Sequence, residues 1–367
     1  MQIWQKMRWA RGSRNRSIVP QSLPITENCI MGCSYDRKDN MRILAPVILL
    51  MTTFAPVAGN STDLIRPGDS WNDTDGKRIQ AHSVGITKMG NRYYWFGEDR
   101  TQGLDPSLRY VSCYVSTDLI RWKFLGRPLQ LAAVEGYTGH WVLERPKVYY
   151  DAARKRFVMY FHLDDEKYKA ARVGVAISEK ITGPYRYVKS FRPLGDESRD
   201  IGQFVDDDGT PYLIFEDRPS GGFHIARLSA DYLSVEKEVS FIHAPLEGGA
   251  IVHYDGLYYV LGSHLTGWDP NPNVYASAKS LEGPWTEFAD VAPPESKTYS
   301  SQSSFLLKIT GTRKTTVLYM GDRWKPNELW DSRYIWMPLE IEGGKMKLPE
   351  PKPFRIDVHT GEVQLEK

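Results

Sequence analysis

A short aromatic strand signature recurs five times along this 367-residue chain, and that repeat constrains the fold more than any other feature. The copies are Tyr93-Tyr-Trp-Phe96, Phe157-Val-Met-Tyr160, Tyr212-Leu-Ile-Phe215, Tyr258-Tyr-Val-Leu261 and Thr316-Val-Leu-Tyr319, at intervals of 64, 55, 46 and 58 residues. Each follows a turn such as Met89-Gly-Asn91, Asp207-Asp-Gly209 or Tyr254-Asp-Gly256, built from residues that tolerate the positive φ of tight hairpins. No segment beyond residue 60 sustains a helical period. Three to four strands repeated five times predict an all-β fold, a five-bladed β-propeller, because radial stacking of small sheets leaves only short, protected edges. A β-sandwich with long insertions is the alternative architecture.

In a propeller the innermost strand of each blade lines the axis, so equivalent positions in the five first strands face one shared space. Aligned on their hairpins, these positions are His82, Glu144, Asp200, Glu247 and Gln302, each just ahead of an apolar run. A single Glu before a strand is most often a solvated turn residue, and a water-filled polar channel without chemistry is the plain reading of such a ring. Three carboxylates forced together, however, have their pKa values pushed apart, one staying protonated while another ionises. Acid-catalysed cleavage of a glycosidic bond requires that pairing. Trp71, Trp95, Trp141, Trp268, Trp324 and Trp330 lie close to these positions or in loops after the second strands. Aromatic faces beside hydrogen-bonding groups suit a pyranose, although many of these rings must belong to the core. The turn-rich loop Thr266-Gly-Trp-Asp-Pro-Asn-Pro-Asn273 is expected to overhang the channel mouth.

The formal net charge is +2, and residues 1–60 hold eight Lys/Arg against three Asp/Glu, which leaves a near-neutral body and argues against a nucleic-acid partner. Residues 41–59, MRILAPVILLMTTFAPVAG, have the layout of a secretory signal peptide. Their apolar run from Ile43 to Phe54 is shorter than the roughly 20 residues that span a bilayer. Residues 1–40 therefore read as a non-native or disordered leader, 41–59 as a signal peptide and 60–367 as a single propeller domain. A secreted or periplasmic monomer is expected, with no stable membrane insertion after cleavage. Cys29 and Cys33 fall in the leader, leaving Cys113 as a buried strand thiol. Asp206-Asp-Asp-Gly209 lacks the alternation and closing Glu of a calcium loop and reads as a hairpin turn. No cofactor or metal is expected, a central calcium ion having no sequence support.

Taken in order, Ile79-Gln-Ala-His82, Tyr94-Trp-Phe-Gly-Glu98, Glu144-Arg-Pro-Lys-Val148, Arg199-Asp200, Phe204-Val-Asp-Asp-Asp-Gly209, Thr266-Gly-Trp-Asp-Pro-Asn271, Ser301-Gln302-Ser303 and Tyr319-Met-Gly-Asp-Arg-Trp324 resemble glycoside hydrolase family 43. They are most similar to its branch of exo-acting galactan 1,3-β-galactosidases, over about residues 66–350. The resemblance implies a five-bladed propeller that removes terminal galactose from β-1,3-galactan with inversion. It implies Glu247 as general acid, Asp200 as the residue that tunes and orients it, Gln302 as holder of the attacking water and Glu144 as a contact to sugar hydroxyls. His82, Glu98, Trp141, Trp268, Asp322 and Trp324 would bind substrate. Most of the wider family has a base Asp on blade 1, where this chain has His82, so the base is Gln302, Glu144 or solvent. An inverting geometry would set Glu247 about 6.5–9.5 Å from the group holding the water.

This chain has Glu247-Gly-Gly-Ala250 where relatives tend to have Glu-Ala-Pro-Ala, and Ile201-Gly-Gln203 where they tend to have Met-Thr-Leu. The two glycines are expected to loosen the backbone of the acid. Two other functions fit the same residues: a family 43 arabinofuranosidase or xylosidase, and a sugar-binding propeller with impaired catalysis.

Overall fold

The repeated aromatic strands are apolar on both faces because each is sandwiched between two neighbouring blades. In blade 1, Tyr93 and Trp95 enter the core shared with blade 5, whereas Tyr94 and Phe96 enter the core shared with blade 2. The period of two along a strand thus divides consecutive residues between two separate cores, and the sequence reads as an unbroken apolar run. A computed structural model describes residues 64–132, 134 and 141–366. The leader and signal segments expected over residues 1–59, with Cys29 and Cys33, lie outside the described residues.

Four blades are four-stranded antiparallel meanders. Blade 1 comprises β1 (His82–Met89), β2 (Arg92–Glu98), β3 (Arg109–Ser116) and β4 (Lys123–Leu131). Blade 2 comprises β5 (Trp141–Asp151), β6 (Arg156–Asp165), β7 (Arg172–Ser178) and β8 (Arg186–Phe191). Blade 3 comprises β9 (Ile201–Val205), β10 (Pro211–Asp217), β11 (Gly222–Leu228) and β12 (Val235–Ile242). Blade 4 comprises β13 (Leu246–Tyr254), β14 (Leu257–His264), β15 (Asn273–Ala278) and β16 (Ala289–Asp290). Blade 5 has three strands, β17 (Gln302–Thr310), β18 (Thr315–Arg323) and β19 (Arg333–Pro338). The five-bladed all-β propeller expected from the repeat is the fold observed.

Five apolar clusters fill the five seams between blades. The seam between blades 5 and 1 is the richest in indoles, with Trp95 and Trp336 in contact with each other and each with Trp71 and Trp122. Trp71 and Trp95 are therefore core residues, their indole N–H groups donating to the carbonyls of Ile120 and Ala81. Beside this seam, Ile65 and Phe354 form a β-bridge and Arg66 pairs with Glu366. Cys113 is buried on β3 as an unpaired thiol. The Asp206–Gly209 segment is the hairpin between β9 and β10, closed by hydrogen bonds from the Asp206 N–H to the Thr210 carbonyl and from the Gly209 N–H to the Asp206 carbonyl.

Candidate active site

His82, Glu144, Glu247 and Gln302 lie at or near the starts of β1, β5, β13 and β17, and Asp200 immediately precedes β9. A β-bulge follows this position in four of the five blades, re-aiming the strand start. Across each hairpin stands a second polar residue: Glu98 opposite His82, His162 opposite Glu144, Ser263 opposite Glu247 and Asp322 opposite Gln302. In blade 3 the Glu216 N–H donates to the Asp200 carbonyl. The strand-start residues form an inner ring and the residues across from them an outer ring at the same opening, although His82 of the inner ring does not line the cavity there and Glu98 and His162 of the outer ring do.

A cavity of about 200 Å³ sits within the inner ring, lined by Glu144, Asp200, Glu247, Gln302, Trp268 and Trp324 among others. Glu247 is 5% exposed. Burial, the Asp200 charge and the Glu216 charge push its carboxyl up to about 8, against the pull of Arg145 and Arg218. Arg218 donates to Glu247 Oε2 at 3.0 Å. Asp200 accepts the backbone N–H of Gly248 at 2.9 Å, which fixes the peptide next to Glu247.

Glu144 is the opposite case. Burial alone would raise it, but hydrogen bonding and charge from His162, with Arg100 and Tyr168, hold it down at about 2. Tyr168 donates to Glu144 Oε1 at 3.1 Å, and His162 Nδ1 lies 3.4 Å from Oε2. Burial works against charge on His162, yet Asp164 and Glu144 together raise it to about 9. One cavity thus holds two carboxyls pushed in opposite directions, Glu247 up and Glu144 down.

Arg145 braces the arrangement. Its Nε meets Asp200 at 2.6 Å, its Nη2 donates to Gln302 Oε1 at 2.7 Å, and its backbone N–H donates to Glu98 at 3.1 Å. Trp324 Nε1 also donates to Gln302 Oε1, at 3.0 Å. Both partners can only donate, so the oxygen end of the Gln302 amide must face them. Its Nε2 then donates to Glu247 Oε1 at 2.9 Å and Ser263 Oγ at 3.2 Å. One residue further along β5 from Pro146, Lys147 is fully buried and donates to the carbonyls of Ser83 and Val84, tying blade 2 to blade 1.

A family model described as "Glycosyl hydrolases family 43" matches residues 79–308, from the approach to blade 1 into blade 5. The chain belongs to glycosyl hydrolases family 43. Among solved structures it is similar to an exo-β-1,3-galactanase from Phanerochaete chrysosporium, determined with galactose and with β-1,3-galactotriose, at 40% identity and a TM-score of 0.77, covering 83% of this chain and 71% of that one. An exo-β-1,3-galactanase from Clostridium thermocellum matches at 34% identity and a TM-score of 0.75, over 82% of this chain and 68% of that one. A curated protein of Escherichia coli (strain K12) described as "Putative beta-xylosidase" is 26% identical over 267 residues, and the match spans 65% of this chain and 47% of that protein. This family 43 protein is a glycosidase that hydrolyses O-glycosyl bonds.

Not every expected site residue of the family 43 chain reaches the cavity. His82 is fully buried and does not line it. Its Nδ1 faces Asp322 Oδ1 at 3.1 Å, and its ring stacks on Tyr334. Asp322, expected to touch sugar, has its other oxygen occupied by the Ser83 N–H and the Ser304 hydroxyl. The pair is a buried strut between blades 1 and 5 because each polar group finds its partner across the seam. Trp141 is buried under Arg109 and faces a neighbouring groove with Arg100 and Trp330. Glu98 lines the cavity but is paired with Arg100. Trp268 is 44% exposed on the expected overhanging loop, edge-on to Trp324.

Sequence reasoning missed His162, Tyr168, Arg199 and Arg218 on the cavity wall and the outer-ring role of Glu216 and Ser263. A signal was present, since the first polar residue after each aromatic strand marks the outer ring. The expected gap between Glu247 and the water-holding group is also absent if that group is Gln302, because the two side chains touch. Nor are the two glycines loose. Gly248 has a φ of +66°, and its carbonyl accepts from Ser303 Oγ at 2.7 Å. A Cβ on Gly202 would stand 2.1 Å from the Gly249 carbonyl. The two departures from the family pattern meet in space as one close approach of β9 and β13.

Proposed function

We propose that this protein is an exo-acting, inverting β-1,3-galactosidase that removes terminal galactose from β-1,3-galactan, with Glu247 as general acid. The observation that carries the reading is the pair of oppositely shifted carboxyls in one small cavity: Glu247 raised to about 8 and Glu144 held at about 2. A protonated carboxyl can give its proton to the departing glycosidic oxygen, and proton donation of this kind contributes roughly 10²–10⁴-fold. Asp200 raises Glu247 by its charge and holds the adjacent peptide, so it acts as tuner and positioner. Glu144 is too weak a base at a pKa of about 2 to be favoured for proton abstraction, but it is a strong acceptor for sugar hydroxyls.

The cavity has room for a single hexose, and the adjoining groove shares Glu98, Glu144, Tyr168 and Trp268 with it. That arrangement suits removal of one terminal residue while the remaining chain lies in the groove. Trp268 and Trp324 offer perpendicular aromatic faces to the sugar. The substrate assignment draws on the galactanases at 34–40% identity. The signal-like segment over residues 41–59 supports a reaction outside the cytoplasm. Incubation with β-1,3-galacto-oligosaccharides and, separately, with arabinoxylan tests the proposal: galactose released one unit at a time supports it. Release of xylose or arabinose alone, or no hydrolysis of either, would overturn it.

A further inference from the structure

The outer part of blade 3 carries a cluster that the hydrolytic reaction does not use. His224 on β11 is 6% exposed and directs Nδ1 to Glu238 Oε2 on β12 at 2.5 Å. Its Nε2 lies 3.4 Å from Asp217 Oδ2, at the end of β10, and 3.9 Å from Asp196 Oδ2, in the connection between β8 and β9. Ligand atoms of Asp196, Asp217 and His224 all lie within 4.8 Å of one another. Asp217 is 2% exposed, and its Oδ1 is buried with no hydrogen-bond partner. Among the described residues, no lysine or arginine forms an ion pair with Asp196, Asp217 or Glu238.

We propose that Asp196, Asp217 and His224 form a binding site for a divalent transition-metal ion, Zn²⁺ or Mn²⁺. Burying a carboxylate oxygen without donor or counter-ion is expensive, and a cation is the group that removes the cost. The spacing fits: bonds of about 2.0–2.2 Å to a tetrahedral ion put donor atoms roughly 3.4 Å apart. Nε2 and Asp217 Oδ2 already stand at that separation; Asp196 Oδ2, half exposed on a connection, is 3.9 Å from Nε2 and within 4.8 Å of the Asp217 ligand atom, and closes in to complete the set. Glu238 on the far nitrogen is the carboxylate partner that fixes the tautomer and orientation of a metal-bound histidine. One imidazole nitrogen with carboxylates favours Zn²⁺ or Mn²⁺ over Ca²⁺, which takes six to eight oxygens.

The site would also brace the catalytic framework. Asp196 precedes Asp200 by four residues, and Asp217 directly follows Glu216, whose carboxylate accepts the Asp200 N–H at 3.3 Å. The test uses the full chain, stripped with EDTA and titrated with Zn²⁺, Mn²⁺ or Ca²⁺ alone, with bound metal counted by elemental analysis and thermal stability followed in parallel. One Zn²⁺ or Mn²⁺ per chain and a raised Tm are expected. Asp196→Ala, whose side chain is 43% exposed, keeps the fold intact and should weaken binding at least about tenfold; Glu238→Gln should weaken it by about 10–100-fold. His253→Gln removes the imidazole of the other histidine-bearing cluster close enough to hold an ion, Asp206, Asp207 and His253, and should change nothing. Absence of Zn²⁺ and Mn²⁺ binding overturns the proposal. So does binding that survives unchanged in both Asp196→Ala and Glu238→Gln, or that is lost in His253→Gln, since the ion would then sit elsewhere.

Discussion

Gln302 donates from Nε2 to Glu247 Oε1 across 2.9 Å, so the Glu247 carboxyl and the carboxamide are in direct contact. All four hydrogen-bonding positions of the amide are taken: Arg145 and Trp324 on its oxygen, Glu247 and Ser263 on its nitrogen. Inversion requires the acid and the attacking water on opposite faces of the sugar. Gln302 can hold that water only if the sugar separates it from Glu247 and frees one of the four positions. The ring geometry thus makes a demand on the bound state that the free protein does not yet meet.

Replacement of the acid should depend on the leaving group. Glu247→Gln is expected to lower kcat by roughly 10²–10⁴-fold on galacto-oligosaccharides. On a nitrophenyl galactoside the loss should be much smaller, because that leaving group departs without a proton. Steady-state kinetics on both substrates makes the comparison, and equal losses would assign Glu247 another role.

The same residue sets the alkaline limb of activity and has a cost in stability. Glu247 must be protonated to act, so kcat/KM should fall as pH rises through about 8. Its folded pKa lies above its unfolded value of 4.5. Protonation therefore favours the native state below pH 4.5, and that contribution is lost progressively as pH rises to about 8. Glu247→Gln, neutral throughout, should match the wild type near pH 4.5 and exceed it in Tm by a margin that grows towards pH 8–9. Thermal melts across that range measure the margin, and a constant offset would show that Glu247 ionises freely in the fold.

The fold and the inner ring were legible because both follow from repetition. A strand buried on two faces must be apolar at successive positions, and the residue ahead of it must turn towards the axis. What escaped was pairing between blades. Arg145 reaches Gln302 across 157 positions of sequence, and no local pattern encodes that contact. His82 occupies the ring position of blade 1 yet is buried, because Asp322 of blade 5 captures it. The glycines at 202, 248 and 249 read as looseness one by one; only their meeting in space identifies them as close packing.

Gly202 offers a direct check of that packing. Ala in its place would drive Cβ to 2.1 Å from the Gly249 carbonyl, two residues from the acid. Backbone cannot yield as a flexible side chain can, so Gly202→Ala should cost about 1–3 kcal/mol and lower kcat more than it raises KM. Chemical denaturation and kinetics on one preparation test both effects. A variant as stable and active as the wild type would mean that β9 and β13 are not held at this distance.

The identity of the group that activates water can be decided by rescue. If binding of sugar prises Gln302 from Glu247 and the amide then holds the water, Gln302→Ala should abolish hydrolysis while sugar affinity stays nearly intact. Azide should restore turnover from the vacated side, giving a glycosyl azide of inverted configuration. If Glu144 accepts the proton instead, rescue should follow Glu144→Ala. Against that outcome stands its pKa of about 2, which suits an acceptor of hydroxyl hydrogen bonds better than a base; Glu144→Ala is then expected chiefly to weaken sugar binding, with KM rising. NMR of the first-formed sugar from the wild type completes the test. Retained configuration would rule out both versions, because it requires a covalent intermediate on a carboxylate nucleophile, a role no amide at position 302 can fill.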